Sequence, residues 1–599
     1  MNVTPDLPSQ PVPPDRLDLD VQARPLGHLP LITALVDHLG VGDALDELLP
    51  IDPRSNVSDA DCVTTMILNI LSGRVALYRM ELWTQKLPVD LLIGPHCTSE
   101  DFTDARLARA LDHLFEVGTD KVLGRIVQTY LQRPDRPHRY SIHQDGTSVS
   151  VYGAYEGEPP AWAPRPVFGF SKDHRPDLKQ LVFGLSLHGA TGLPLVATML
   201  DGNTSDSYLN AFHIESLAGL LPDEDDVTLV ADSKLVDTCT LGTLLEQGMH
   251  FVSLVPRTFN VRDEALERLG TDRESLSELG RTPARKRSDP DTVYRGRSFE
   301  LPFRIRRPGA GEDETVPLRL LAVHSDSLAT KFEAGLPHKL EKDRAAIDKA
   351  VRAANRKPFS CEQDAQATAQ RIAASAHLHR CQLDIVAHEV QGKRPRGRPR
   401  NDSPPPPTQT VYQLVLTSCD SDPEAVEALR RSLTHFVLIT DHLDATAHSD
   451  ADILAEYRHQ HIVEGHCGFR WLKGPGQVAP VFLERPERIA ALGLVLVLAL
   501  MVRNYLQFTL RAELAIRDET VPYYDRKRVT ATPTAEVIWE LFSDVVLLVF
   551  TLPEGTAHRR LQGMDDDKRR VLDMLGLDES ALLGRRRKPP AGRRPNVGM

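Results

Sequence analysis

Three acidic residues carry most of the chemistry legible in this chain: Asp145, Asp232 and Glu464. Asp145 interrupts a strand-like run from Tyr140 to Tyr152, Asp232 ends the run from Val227, and Glu464 falls on a predicted helix that includes Tyr457. Two strand-borne aspartates and a helix-borne glutamate suit a pair of Mg²⁺ ions, with Mn²⁺ as a substitute. Such ions take hard oxygen ligands and keep open positions for phosphate and water. That chemistry is phosphoryl transfer on nucleic acid. The competing reading makes both aspartates plain polar strand residues; propensity disfavours Asp there, and perturbed acids cluster at active sites without being confined to them. A helical glutamate alone is ordinary. Helical spacing, however, places Tyr457 at i−7 and Gln460 at i−4 on the same face, a stripe of phenol, amide and carboxylate that suits a phosphate backbone.

The elements that must hold these residues follow from periodicity. Residues 26–135 read as a helical domain, with apolar residues at i, i+3, i+4 and i+7. Within it, 104–127 reads as helix, turn, helix, with a stop at Gly118; this is either an ordinary helical hairpin or a DNA-binding pair. From 136 to 256 the order is three strands, helix, strand, helix, strand, with the first three closely spaced. That order predicts an α/β fold built on a ribonuclease H-like mixed sheet. Residues 257–434 interrupt it as a mainly β insertion with a helical arm, 435–515 complete the core, and 516–599 form a helical region with a basic tail. Residues 1–25, rich in Pro and Asp, read as a disordered leader.

At 599 residues the chain is too long for one hydrophobic core. Its seven cysteines are scattered without a Cys-x-x-Cys pair, which fits a reducing cytosol and gives the expectation of a cytoplasmic, nucleoid-associated protein. No signal peptide is visible at the N-terminus. The longest apolar run, Ile489 to Val502, is short for a membrane span, so no membrane partner is expected. The net charge of −12 argues against DNA binding, but its distribution is uneven. Local basic patches set phosphate affinity, and two occur: Gln391–Asn401 and the tail from Ser580.

Within 392–407, Pro-Arg-Gly-Arg-Pro resembles the core of an AT-hook, in which an extended Arg-Gly-Arg (Arg396 and Arg398) lies in a narrow minor groove; a basic linker is the alternative. His459, His461, His466 and Cys467 surround Glu464, but their spacing matches no usual zinc signature. DNA contact or a structural role for these histidines stays open. Trp471 either stacks on a base or packs in the core.

Taken together in order, these pieces resemble bacterial insertion-sequence transposases of the DDE class, the IS-four-like group with a Tyr-x₂-Arg-x₃-Glu-x₆-Lys signature. The likeness spans roughly 26–510 and includes Lys172–Gln180, Asp201–Asp206, Val230–Ser233 and Tyr457–Pro475. It implies that Asp145, Asp232 and Glu464 are the catalytic and metal-binding triad, with Asp145 bridging two ions. It also implies DNA contacts from Tyr457, Gln460, Lys473 and Arg175, beside those of Arg396 and Arg398. The implied partners are double-stranded DNA (the element's terminal inverted repeats and its target) and a second copy of the chain on that DNA. Two departures stand out: Gln460 occupies the place of the signature arginine, and Trp471 that of the lysine, with Lys473 the nearest substitute. The alternatives are a decayed or repurposed DNA-binding protein and a metal-dependent nuclease without strand transfer.

Overall fold

The computed structural model describes residues 20–50, 52, 54–132, 139–157, 159–160, 162–172, 174–222, 225–270, 276–284, 290–391, 407–465, 467–474, 483–551 and 557–583. The chain is a mixed α/β protein that divides into two compact units, one of residues 1–252, 304–314 and 456–599, the other of 253–303 and 315–455.

The first unit contains β1 (Asp20–Pro25), β2 (Arg139–Val151), β3 (Lys179–His188), β4 (Pro194–Asp201), β5 (Asp226–Ala231) and β6 (His250–Leu254). Five of these run in the order β4-β3-β2-β5-β6. β2, β3 and β4 pair antiparallel in chain order, β2 joined to β3 through the long segment 152–178 and β3 to β4 through the short turn 189–193. A crossover through the helix Asp206–Leu220 then brings β5 parallel to β2, the long return that a parallel pair requires. The β2–β5 pairing ends at His143↔Val230, so β2 runs on past its neighbour for the residues that follow, Asp145 among them.

The helix Pro486–Arg517 is the core of this unit. Its apolar window has a mean hydropathy of 2.1 and is 89% buried inside the protein, against the helices at Asp59–Leu68, Asp104–Val117 and Thr119–Leu131 and against β4. By length and composition alone it could cross a membrane; here its apolar surface is spent on protein. The hairpin expected at 104–127 is a helical pair turning at Gly118 (φ 104°), and Arg488 of the core helix grips its Asp112 at 2.6 and 2.7 Å.

Two expectations need correction. Residues 20–25, expected in a disordered leader, form β1. The region 516–599, expected to be helical, contributes β13 (Val521–Pro522), β14 (Val529–Thr530), β15 (Val546–Thr551) and β16 (Ala557–Gln562) beside its helices Ala535–Leu541 and Asp566–Met574. The two errors share a cause: β1 pairs with β15 across more than 500 residues, and local pattern does not report such a partner. Residues 1–19 and the basic tail from 584 lie outside the described residues.

The second unit holds β7 (Ser277–Thr282), β8 (Thr292–Ile305), β9 (Glu314–Ser325) and β12 (His435–Thr440), in the order β12-β9-β8-β7. It also holds a separate antiparallel ribbon of β10 (His379–Gln391) and β11 (Thr408–Ser421). The helices Asp326–Ala354 and Glu362–Ala374 pack on that ribbon through Ile347, Val351, Ala365, Ile372 and Leu414.

Candidate active site

Strand alternation puts Ser141, His143 and Asp145 on one face of β2 and Gln144 and Gly146 on the other. On the second face, Gly146 pairs with Gly184 of β3. A Cβ on either would come within 2.4 Å of Leu209, so this glycine pair lets the helix Asp206–Leu220 press directly on the sheet beside Asp145. Ser205 caps that helix, accepting from Tyr208 N at 3.3 Å.

Asp145 is largely buried. It accepts the Gly146 backbone N–H at 2.7 Å, and the Lys172 ammonium lies 3.6 Å from its Oδ1. Lys172 also donates to the Gly146 carbonyl. Burial pushes the Asp145 carboxyl up to about 6; Lys172 and the Gly146 N–H oppose this, and the charges of Asp232 and Glu464 add to it. Asp232 and Glu464 therefore both lie within electrostatic reach of Asp145. Asp232 leaves β5 as the cap of a short turn, accepting from Lys234 N at 2.9 Å. Glu464 is exposed and ends the short helix His461–Glu464. The chain after it turns through Gly465 and Gly468, where a Cβ would meet the His461 and Val463 carbonyls at 2.4 and 1.9 Å.

Tyr457 joins the acids: burial, Asp232 and Glu464 together raise its phenol to about 12. Gln460 does not share their face. It is buried and donates from Nε2 to the Gln144 carbonyl at 3.1 Å. The expected stripe is broken because residues 459–463 tighten into i→i−3 bonds, among them Gln460 N to Tyr457 O and Val463 N to Gln460 O, which rotates the faces off a 3.6-residue period. A buried amide cannot touch a phosphate backbone, so the assignment of Gln460 to DNA contact is corrected to an internal tie.

The other expected contacts are more scattered. Lys473 follows the helix Phe469–Leu472 and is half-buried. Arg175 is exposed and held by Asp177 at 2.7 and 2.8 Å. Arg396 and Arg398, with the whole hook-like segment 392–406, lie outside the described residues, as does His466. Trp471 is half-buried with the Arg503 guanidinium 5.5 Å from its ring centre, a packed position. On the Asp145 face of β2, Ser141 donates to Glu456, and His143 stands 3.0 Å from Ser141 Oγ and 3.8 Å from Glu456. Burial, with the neighbouring imidazoles, depresses His143 to about 3.

Asp232, Lys172, Phe170, Gln180 and the segment Gly202–Ser207 line a cleft of about 640 Å³. The helix start at Ser205 and the segment from Lys172 were both marked in the sequence; what it did not show is that Lys172 stands beside Asp145.

Among the described residues the oxygens of the three acids do not all approach within 4.8 Å of one another; Asp61, His96 and Cys97 do form a set that tight. That set reads as a closed helix cap, since Asp61 Oδ2 already accepts from Ser58 N at 2.9 Å and pairs with His96 Nε2 at 3.2 Å.

Residues 21–128 match a family model described as Domain of unknown function (DUF4277). No curated protein matches the chain. Among solved structures, the cryo-EM structure of the piggyBac transposase synaptic complex with hairpin DNA is similar over 87% of this chain and 82% of that one, at 9% identity and a TM-score of 0.34.

Proposed function

We propose that the chain is a DNA transposase of the insertion-sequence type, which binds the ends of its element and cuts and rejoins DNA by metal-dependent phosphoryl transfer at Asp145, Asp232 and Glu464. The observation that carries the reading is Asp145 itself. It is a carboxyl held in a buried position at about 6 by desolvation and two neighbouring acids. Such a cluster is costly unless a cation joins it. The donor set is all hard oxygen, which fits Mg²⁺ or Mn²⁺ better than a transition metal. When bound, such ions polarise an attacking water or DNA 3′-hydroxyl and stabilise the leaving oxygen.

The residues of the chain do the rest. Asp145, Asp232 and Glu464 would hold the ions between them. Lys172 beside Asp145 and the N-terminus of the helix at Ser205 give the cleft positive partners for phosphate oxygens. Tyr457, its phenol kept protonated, is positioned as a hydrogen-bond donor next to the acids.

The test is cleavage of a labelled duplex carrying the flanking inverted repeat, with Mg²⁺ or with EDTA, by wild type and by Asp145→Ala, Asp232→Ala and Glu464→Ala. Metal-dependent cutting at the repeat boundary, lost in each variant with DNA binding retained, supports the reading. Cutting without joining to a target duplex reduces the protein to a nuclease, and binding without cutting in Mg²⁺ or Mn²⁺ makes it a DNA-binding protein.

A further inference from the structure

Three segments widely separated in sequence carry the acids, and one chain of buried amides touches all of them. Gln460, four residues before Glu464, donates from Nε2 to the Gln144 carbonyl at 3.1 Å. That carbonyl lies just past the point where β5 stops pairing with β2. The Gln144 side chain, on the face of β2 opposite Asp145, donates from Nε2 to Asn210 Oδ1 at 2.8 Å. Asn210, on the helix Asp206–Leu220, donates from Nδ2 to the Lys234 carbonyl at 3.2 Å, two residues past Asp232. The three side chains are 7%, 1% and 6% exposed.

Packing alone does not explain these residues. Apolar side chains would fill the same space without desolvation cost, and here Oε1 of both Gln144 and Gln460 is buried with no hydrogen-bond partner. What amides supply and apolar groups do not is direction: a hydrogen bond fixes distance and angle, whereas the hydrophobic effect is non-directional. A two-ion site needs that precision, because Mg²⁺ demands near-octahedral geometry at about 2.0–2.1 Å.

We propose that Asn210, Gln144 and Gln460 are positioning residues that hold the strand of Asp145, the turn of Asp232 and the helix of Glu464 at the spacing in which the acids bind divalent cations. The inference rests on the metal-dependent reading of the acids. It also explains why a glutamine stands at 460: a shorter, uncharged side chain bonds a carbonyl in the middle of β2 there.

The test is titration of full-length, metal-free protein with Mn²⁺, following free Mn²⁺ by electron paramagnetic resonance, with no DNA present. The proteins are wild type, Asp145→Asn, Asn210→Ala and Gln460→Met, the last keeping volume while removing only the first link. Melting in EDTA reports folding separately. The expected result is Asp145-dependent binding in wild type, weakened about tenfold or more in Asn210→Ala and in Gln460→Met, at temperatures where both remain folded. Should Asn210→Ala not fold, Gln460→Met decides. A wild-type isotherm reproduced by the folded variants overturns the positioning role while leaving the metal site standing. A wild-type protein with no Asp145-dependent Mn²⁺ binding overturns the metal reading and this inference with it.

Discussion

Acidity offers the sharpest test of the Asp145 environment. A carboxyl at about 6 is protonated over a range in which an ordinary aspartate is ionised. Cation binding requires the ionised form, so the apparent affinity scales with the deprotonated fraction. At pH 7 that fraction is roughly 0.9 and at pH 5 roughly 0.09, which gives about a tenfold loss of Mn²⁺ affinity between them. An aspartate near the usual 3.8 would lose less than about a tenth of its ionised form over the same interval. The sign follows from the direction of the shift: burial raises the pKa, so affinity is retained above about 6 and lost as pH falls through it. Titration of metal-free protein with Mn²⁺ at pH 5, 6 and 7 reads this directly. Lys172→Met should move the transition to higher pH, because the ammonium 3.6 Å away is the largest influence holding the pKa down. An affinity that stays flat from pH 7 to 5 would refute the desolvated picture of the site.

Other outcomes follow from the packing. Gly146→Ala should destabilise the first unit by about 1–3 kcal/mol through the 2.4 Å approach to Leu209, and Leu209→Ala should restore part of that loss, both read as thermal melts. Asp59→Ala leaves the buried Arg106 guanidinium without its 2.6 Å partner and should cost about 3–5 kcal/mol; a loss below about 1 kcal/mol would show that water reaches the arginine. His213 is fully buried against Ser186 Oγ at 2.7 Å, and desolvation depresses it to about 3. Its neutral form stabilises the fold fully above pH 6.5, and the contribution falls by about 1.4 kcal/mol per pH unit on acidification. His213→Asn should therefore flatten the dependence of the urea midpoint on pH between 6 and 4, and an unchanged slope would place a proton on the native imidazole.

The strand and helix order around Asp145 and Asp232 was legible because each element carries its own pattern: alternation through Tyr140–Tyr152, an apolar run before Asp232, and a capping serine before the helix at 206. What failed depended on partners far along the chain. Val21–Pro25 is unremarkable until Val546–Phe550 lies beside it. Gln460 looked like a solvent-facing neighbour of Glu464 because a uniform helix was assumed, and the tightened turn at 459–463 has no signature in residue type. Gln144 and Asn210 escaped notice for a similar reason: their partners are a carbonyl and an amide, and neither pairing marks the sequence.

The position of Glu464 in the chain sets a schedule for synthesis. At about 5–20 residues per second, the 319 residues between Asp145 and Glu464 (464 − 145) take roughly 16–64 s to emerge from a ribosome. The helix Pro486–Arg517 that covers the apolar faces of β4 and of the N-terminal helices arrives later still. Until Glu464 emerges the nascent chain holds at most two of its three acids, and its apolar surface is uncovered. The three acids therefore come together only after the insertion has been made, and the apolar faces are covered last.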